Sequence, residues 1–276
     1  MSATFPAGGY GYAPYCGAPP DPANLLWRWN LDPALIVTLC AIVGAYALLT
    51  RSRGTVSPWR RWCFYGGWSL GAAALISPLC ALSVSLFSAR ISQHMVLEMI
   101  VAPLVALGRP SVFLPWRDRP GDRRPVAPRS HDALVASGAF AVALWFWHAP
   151  GPYTATFASD GVYWVMHITA FGTALWLWTA LFAAARERLG DFLAAAVVTT
   201  LQMGFLGAVI TFAAEPIYRV HWLTTFAWGL TPLQDQQLGG VIMWIPAGAV
   251  ILVAITAATA LAMRRSETRA SSPARA

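Results

Sequence analysis

Lysine is absent from the 276 residues, and only 11% of them are charged, against about 25% in an average soluble domain. The first absence excludes chemistry that needs a lysine amine, such as a retinal Schiff base or a Walker-type phosphate site. The second, beside a hydrophobic fraction of 57%, excludes a disordered chain and weighs against a soluble globule. Cysteine is scarce: the four residues are scattered, with no CxxC and no Cys/His spacing of a zinc site. Acid is scarce too, 12 Asp and Glu against 19 Arg, for a net charge of +7. The arginines lie between apolar blocks rather than in one stripe. Their basicity therefore belongs to membrane topology and not to nucleic-acid binding.

What is present is a series of apolar blocks at 31–49, 62–82, 92–107, 133–147, 162–184, 191–213 and 237–263. Lipid offers no partner to unpaired backbone groups, and blocks of this length match a spanning helix of about 20 residues rather than barrel strands. The expected fold is an all-α integral membrane protein, a bundle of seven transmembrane helices. Residues 1–30 form a Pro/Gly-rich extracytoplasmic tail, 31–263 the transmembrane domain and 264–276 a basic cytoplasmic tail. Sixteen arginines fall on one side of the blocks, and Arg28, Arg90 and Arg219 on the other. The positive-inside rule then places the N-terminus outside and the C-terminus in the cytoplasm. The first 24 residues lack a basic n-region and an apolar core, so they do not read as a signal peptide. Loop 108–132, rich in Pro and Arg, reads as an unstructured cytoplasmic connection. Pro78, Pro103 and Pro246 fall inside spans. Ser83 to Ser92 either extends the third helix or lies along the interface.

Histidine placement carries more information. With that orientation, His94, His148, His167 and His221 lie at or near extracytoplasmic helix ends, and only His131 is cytoplasmic. Three helix ends presenting an imidazole at one depth suit a copper, iron or zinc ion, and Met95, Met99, Met166 and Met243 add soft thioethers. Interfacial anchoring and ordinary methionine packing explain the same residues without a metal. Glu98 shares a helical face with His94; it either orients the imidazole or carries a proton, or is a protonated or Arg90-paired acid. Asp235, Gln236 and Gln237 enter the last span from outside, where Asp235 suits a helix cap and the amides suit support of imidazoles from other helices. Gln236, Gly240 and Met243 share one face, with glycine allowing close helix approach. Cys40, Cys63 and Cys80 read as small apolar residues; Cys16, in the outer tail, is open to pairing with a thiol or to a metal.

The order and spacing of Phe87-Ser-Ala-Arg-Ile-Ser-Gln-His-Met, Leu107-Gly-Arg-Pro, Trp147-His-Ala-Pro with Tyr153, His167 with Phe171, Trp228-Gly-Leu-Thr-Pro-Leu, Asp235-Gln-Gln and Met243-Trp-Ile-Pro resemble the multi-pass CtaG family of cytochrome c oxidase assembly factors over about residues 60–262. The resemblance implies a non-enzymatic role in maturing a haem-copper oxidase in a bacterial plasma (inner) membrane. It implies copper handled on the outer side, with oxidase subunits and the lipid bilayer as partners. Under it, His94, His148 and His167 match family histidines, and Asp235, Gln236 and Gln237 a polar entrance motif. Two positions depart: Arg90 stands where many members have a second His, and Glu98 where they have an apolar residue or Met. The alternatives are a haem-binding electron carrier and a metal-free membrane scaffold or transporter.

Overall fold

The computed structural model describes residues 14–53, 56–113 and 132–270. No strand occurs among them. The helices are α1 (Pro33–Arg53), α2 (Pro58–Ile76), α3 (Pro78–Ser85), α4 (Phe87–Leu107), α5 (Asp132–His148), α6 (Pro150–Ala158), α7 (Asp160–Glu187), α8 (Leu189–Thr211) and α9 (Pro232–Ala270). α1, α4, α7, α8 and α9 are each long and apolar enough to cross a membrane. The pairs α2–α3 and α5–α6 are bent by 52° and 71°, and counting each as one broken span brings the total to as many as seven. Val37, Val142, Ile168, Leu201, Phe205 and Leu252 point outward from these helices, an apolar surface suited to lipid.

The bends follow from proline. Pro78 and Pro150 lack an N–H and push the preceding residue out of the helical region, so Ser77 and Ala149 are extended (ψ 169° and 137°) and a new helix starts after each. The second apolar block is thus interrupted near its C-terminal end. α4 begins at Phe87, five residues before the expected start of the third block, while Ser83 and Ser85 belong to α3. α9 begins at Pro232 and continues to Ala270, so part of the expected basic tail is helical. Pro246 leaves it unbroken. His131, most of loop 108–132, the first 13 residues and the last six lie outside the described residues.

α9 organises the interior, packing against α8 and α4, while α7 packs against α4, α5 and α8. Glycines set the approach. A Cβ on Gly239 would collide with the Phe87 ring, and one on Gly240 with Thr211 and the Gly207 carbonyl, so both neighbours touch the backbone of α9. Asp235 does not cap its own helix as expected. Its carboxylate accepts from the Phe87 and Ser88 amides of α4, at 2.7 and 3.1 Å, and from the Ser88 hydroxyl. Leu86, with ψ 131°, breaks the preceding helix, and Asp235 satisfies two of the amides left unpaired at the new start.

The described residues ahead of α1 are tied to the helices. Cys16 and Cys80 form a disulfide with their Cα atoms 5.4 Å apart, which corrects the reading of Cys80 as an apolar filler; Cys40 and Cys63 are free. The Ser85 hydroxyl donates to the Pro20 carbonyl at 2.9 Å, and Tyr15 donates to Asp32.

Replacing Asp235 by Ala leaves buried amides unpaired, at a cost of about 2 kcal/mol. Thermal unfolding of the detergent-purified protein is expected to show a clearly lowered midpoint for Asp235→Ala. Asp235→Asn, which keeps one acceptor oxygen, should lie between the two.

Candidate functional site

The site is built on α4. Ala102 donates to Leu97 five residues back, so Leu97–Val101 forms a π turn. The next donor in that register belongs to residue 103, a proline with no N–H to give. The Glu98 carbonyl it would have served accepts instead from the indole Nε1 of Trp178 on α7, at 2.8 Å. The proline, the π turn and the tryptophan together fix how Glu98 sits between α4 and α7.

One turn earlier, His94 Nδ1 lies 3.4 Å from Glu98 Oε1, while Glu98 Oε2 is buried without a partner. The His94 ring is 5.1 Å from that of His167 on α7. His167 Nδ1 is 3.0 Å from the Tyr163 carbonyl, and His148 Nδ1 is 2.7 Å from the Leu144 carbonyl. A carbonyl can only accept, so in both residues Nδ1 carries the proton and Nε2 keeps a free lone pair. That is the form in which a histidine binds a metal, its other nitrogen held by a carbonyl. In His167 this Nε2 is buried with no hydrogen-bond partner.

The three imidazoles do not line one chamber. His94, Glu98 and His148 face a cavity of about 20 Å³, room for roughly one water molecule, shared with Arg90, Tyr153 and Met166. His167 instead faces a larger apolar groove between α1, α2, α4 and α7. Among the described residues, no three of His, Cys, Asp and Glu are grouped to hold one metal ion. His94 and His167 form the close pair, and His148 stands across the small cavity.

Arg90 is the residue that sequence reasoning undervalued. It is 3% exposed. It donates to the Thr156 hydroxyl at 2.7 Å and lies 3.6 Å from the Met166 sulfur. Its guanidinium stands over the rings of Phe157, Tyr153 and Tyr163, at 4.4, 5.2 and 5.8 Å. It makes no ion pair with Glu98; aromatic faces rather than a carboxylate compensate its charge. Tyr163 links it to the disulfide, since its hydroxyl lies against both sulfurs.

The polar entrance stands apart from the imidazoles. Asp235 holds α4. Gln236 accepts from the Ile217 amide at 2.6 Å and donates to the Ile210 carbonyl at 3.1 Å, pinning the α8–α9 loop, and Gln237 is half-buried. These residues support the scaffold instead of touching His94, His148 or His167. The same loop carries His221, 2% exposed, with Nε2 2.7 Å from the Tyr153 hydroxyl.

Burial, helped by the Arg90 charge, pushes the His221 imidazole down to about 3 from its ordinary 6.5. The folded protein therefore binds this proton less readily than the unfolded chain does. The stability held by neutral His221 is complete above about pH 6.5 and falls as the pH drops towards 3. Unfolding midpoints measured between pH 7 and pH 4 should decline, and His221→Gln should flatten part of that decline.

Residues 42–265 match the family described as cytochrome c oxidase caa3 assembly factor (Caa3_CtaG). No curated protein and no solved structure matches the chain.

Proposed function

Because the chain belongs to the cytochrome c oxidase caa3 assembly factor family, we propose that it serves the maturation of a haem-copper oxidase by holding copper briefly on the outer side of a bacterial plasma membrane. Copper is cargo in this reading, passed to an oxidase subunit. The protein has no catalytic task of its own. The observation that carries the reading is the His94–His167 pair, with a buried, unpartnered Nε2 on His167 and its Nδ1 fixed by a carbonyl. Neutral imidazoles suit copper, and a set smaller than three ligands suits an ion that must leave again. Arg90, a buried cation lining the same cavity as His94, opposes permanent retention of a second cation. The small volume beside His94 favours an ion over a macrocycle such as haem.

In this reading each bent pair counts as one span, giving seven, with the N-terminus outside and the C-terminus in the cytoplasm. The Arg partition supports that orientation, and so does the Cys16–Cys80 disulfide, since such bonds persist in oxidising compartments.

Replacing His94 or His167 by Ala should leave the protein inserted, because insertion rests on the apolar spans. Cuprous ion bound by the purified protein should fall at least about tenfold, since even losing a residue that only orients a ligand costs about that much. Oxidase activity in cells at limiting copper should fall with it, and added copper should restore part. His148→Ala should have the smaller effect. Full oxidase activity at limiting copper in a normally accumulating His94, His148, His167 triple variant would reject copper handling and favour a metal-free scaffold.

A further inference from the structure

Histidine nitrogen does not by itself choose copper. Neutral imidazole suits zinc, iron and nickel as well, so the His94–His167 pair needs a further element if one ion is to be preferred. Cuprous ion differs from the divalent metals in carrying a single charge. The residue placed to sense that difference is Arg90.

A guanidinium keeps its proton in any protein environment, so Arg90 is a permanent positive charge. α6 holds it in place. The break at Ala149 starts this helix, and Tyr153, Thr156 and Phe157, at the i, i+3 and i+4 positions, share one of its faces. The two rings and the hydroxyl of that face meet the guanidinium, and the Thr156 hydroxyl in turn donates to the Tyr153 carbonyl at 2.6 Å.

The charge lies close to both imidazoles. Arg90 is about one turn before His94 on α4 and lines the same cavity of about 20 Å³. Towards His167 the ring of Tyr163 intervenes, its centre 5.8 Å from the guanidinium carbon and 4.2 Å from that of the His167 ring. With room for about one water molecule, the cavity offers little solvent to screen the charge. Among the described residues no carboxylate forms an ion pair with Arg90. Asp235 is engaged by the Phe87 and Ser88 amides, and Glu98 lies beside His94.

We propose that Arg90 is a valence filter, which admits monovalent copper to the imidazole pair and rejects divalent ions such as zinc. Repulsion grows with the product of the charges, so Arg90 opposes a divalent ion twice as strongly as a monovalent one. Resting on the proposed copper handling, this role adds the property by which the ion is chosen.

Zinc is the informative competitor, because it shares the closed d shell of cuprous ion and differs by one charge. Affinities of the purified full-length protein are measured against a cuprous-specific chromogenic chelator without oxygen and against a fluorescent zinc chelator, for the parent, Arg90→Gln and Arg90→Met. Zinc binding is expected to tighten at least about tenfold in both variants, and cuprous binding by the square root of that gain, about threefold. A variant that merely distorts the site loses affinity for both ions and gains none for zinc. Unchanged or weaker zinc binding, in variants that unfold at the parent's temperature, would overturn the filter, and so would equal gains for the two ions. A parent protein that binds zinc as tightly as cuprous ion overturns it too, a measurement that needs no variant to fold. Normal cuprous binding without the zinc gain rejects the filter alone; a parent that binds no cuprous ion rejects the copper reading and the filter with it.

Discussion

The carboxylate of Asp235 holds the start of α4, and the site depends on that grip. A helix that begins after the extended Leu86 has buried amides with no partner in its own helix, and Asp235 reaches them from α9. Arg90, His94 and Glu98 follow three, seven and eleven residues after Phe87, so the position of the cap sets the depth and rotation of all three. Gly239 and Gly240 allow the approach by leaving no side chain between α9 and its neighbours. The Cys16–Cys80 bond ties the segment ahead of α1 to α3, and Tyr163 connects that bond to Arg90.

Within this frame the chemistry of the imidazoles is decided by backbone carbonyls. His148 and His167 each give their Nδ1 proton to a carbonyl four residues back in their own helix, which leaves Nε2 as the reactive nitrogen. His94 is held differently, beside a carboxylate whose backbone is fixed by Trp178. A cation, Arg90, sits among aromatic rings at the same cavity. Two neighbouring imidazoles and a buried cation beside one of them suit an ion in transit better than a resident centre, which is the proposed function.

Much of the fold was legible because lipid imposes simple rules. Long apolar blocks had to become helices, and Pro78 in its block marked a bend. The break at Leu86 was not legible, since no proline or glycine stands there; residues distant in sequence hold it, Asp235 on the Phe87 amide and Thr224 on the Ser85 carbonyl. For the same reason Asp235 read as a cap for its own helix. Helix ends at a shared depth suggested one site for His94, His148 and His167, whereas only His94 and His148 line the same small cavity. The separation of His167 into another groove depends on helix rotation, which composition does not encode. Two signals were present and underused. Pro103 announced a missing donor near Glu98, and the topology already placed Cys80 beside the outer tail that holds Cys16. Arg90 looked like a lost ligand because the aromatic faces that stabilise it come from α6 and α7.

The most direct measurement is X-ray absorption at the copper edge on the purified protein loaded with cuprous ion, compared with the His94, His167 double variant. Transient holding by the imidazole pair predicts a low-coordinate cuprous spectrum with the outer-shell scattering of imidazole rings, present in the parent protein and lost in the variant. An unchanged spectrum in the variant, or sulfur scattering alone in the parent, would contradict it.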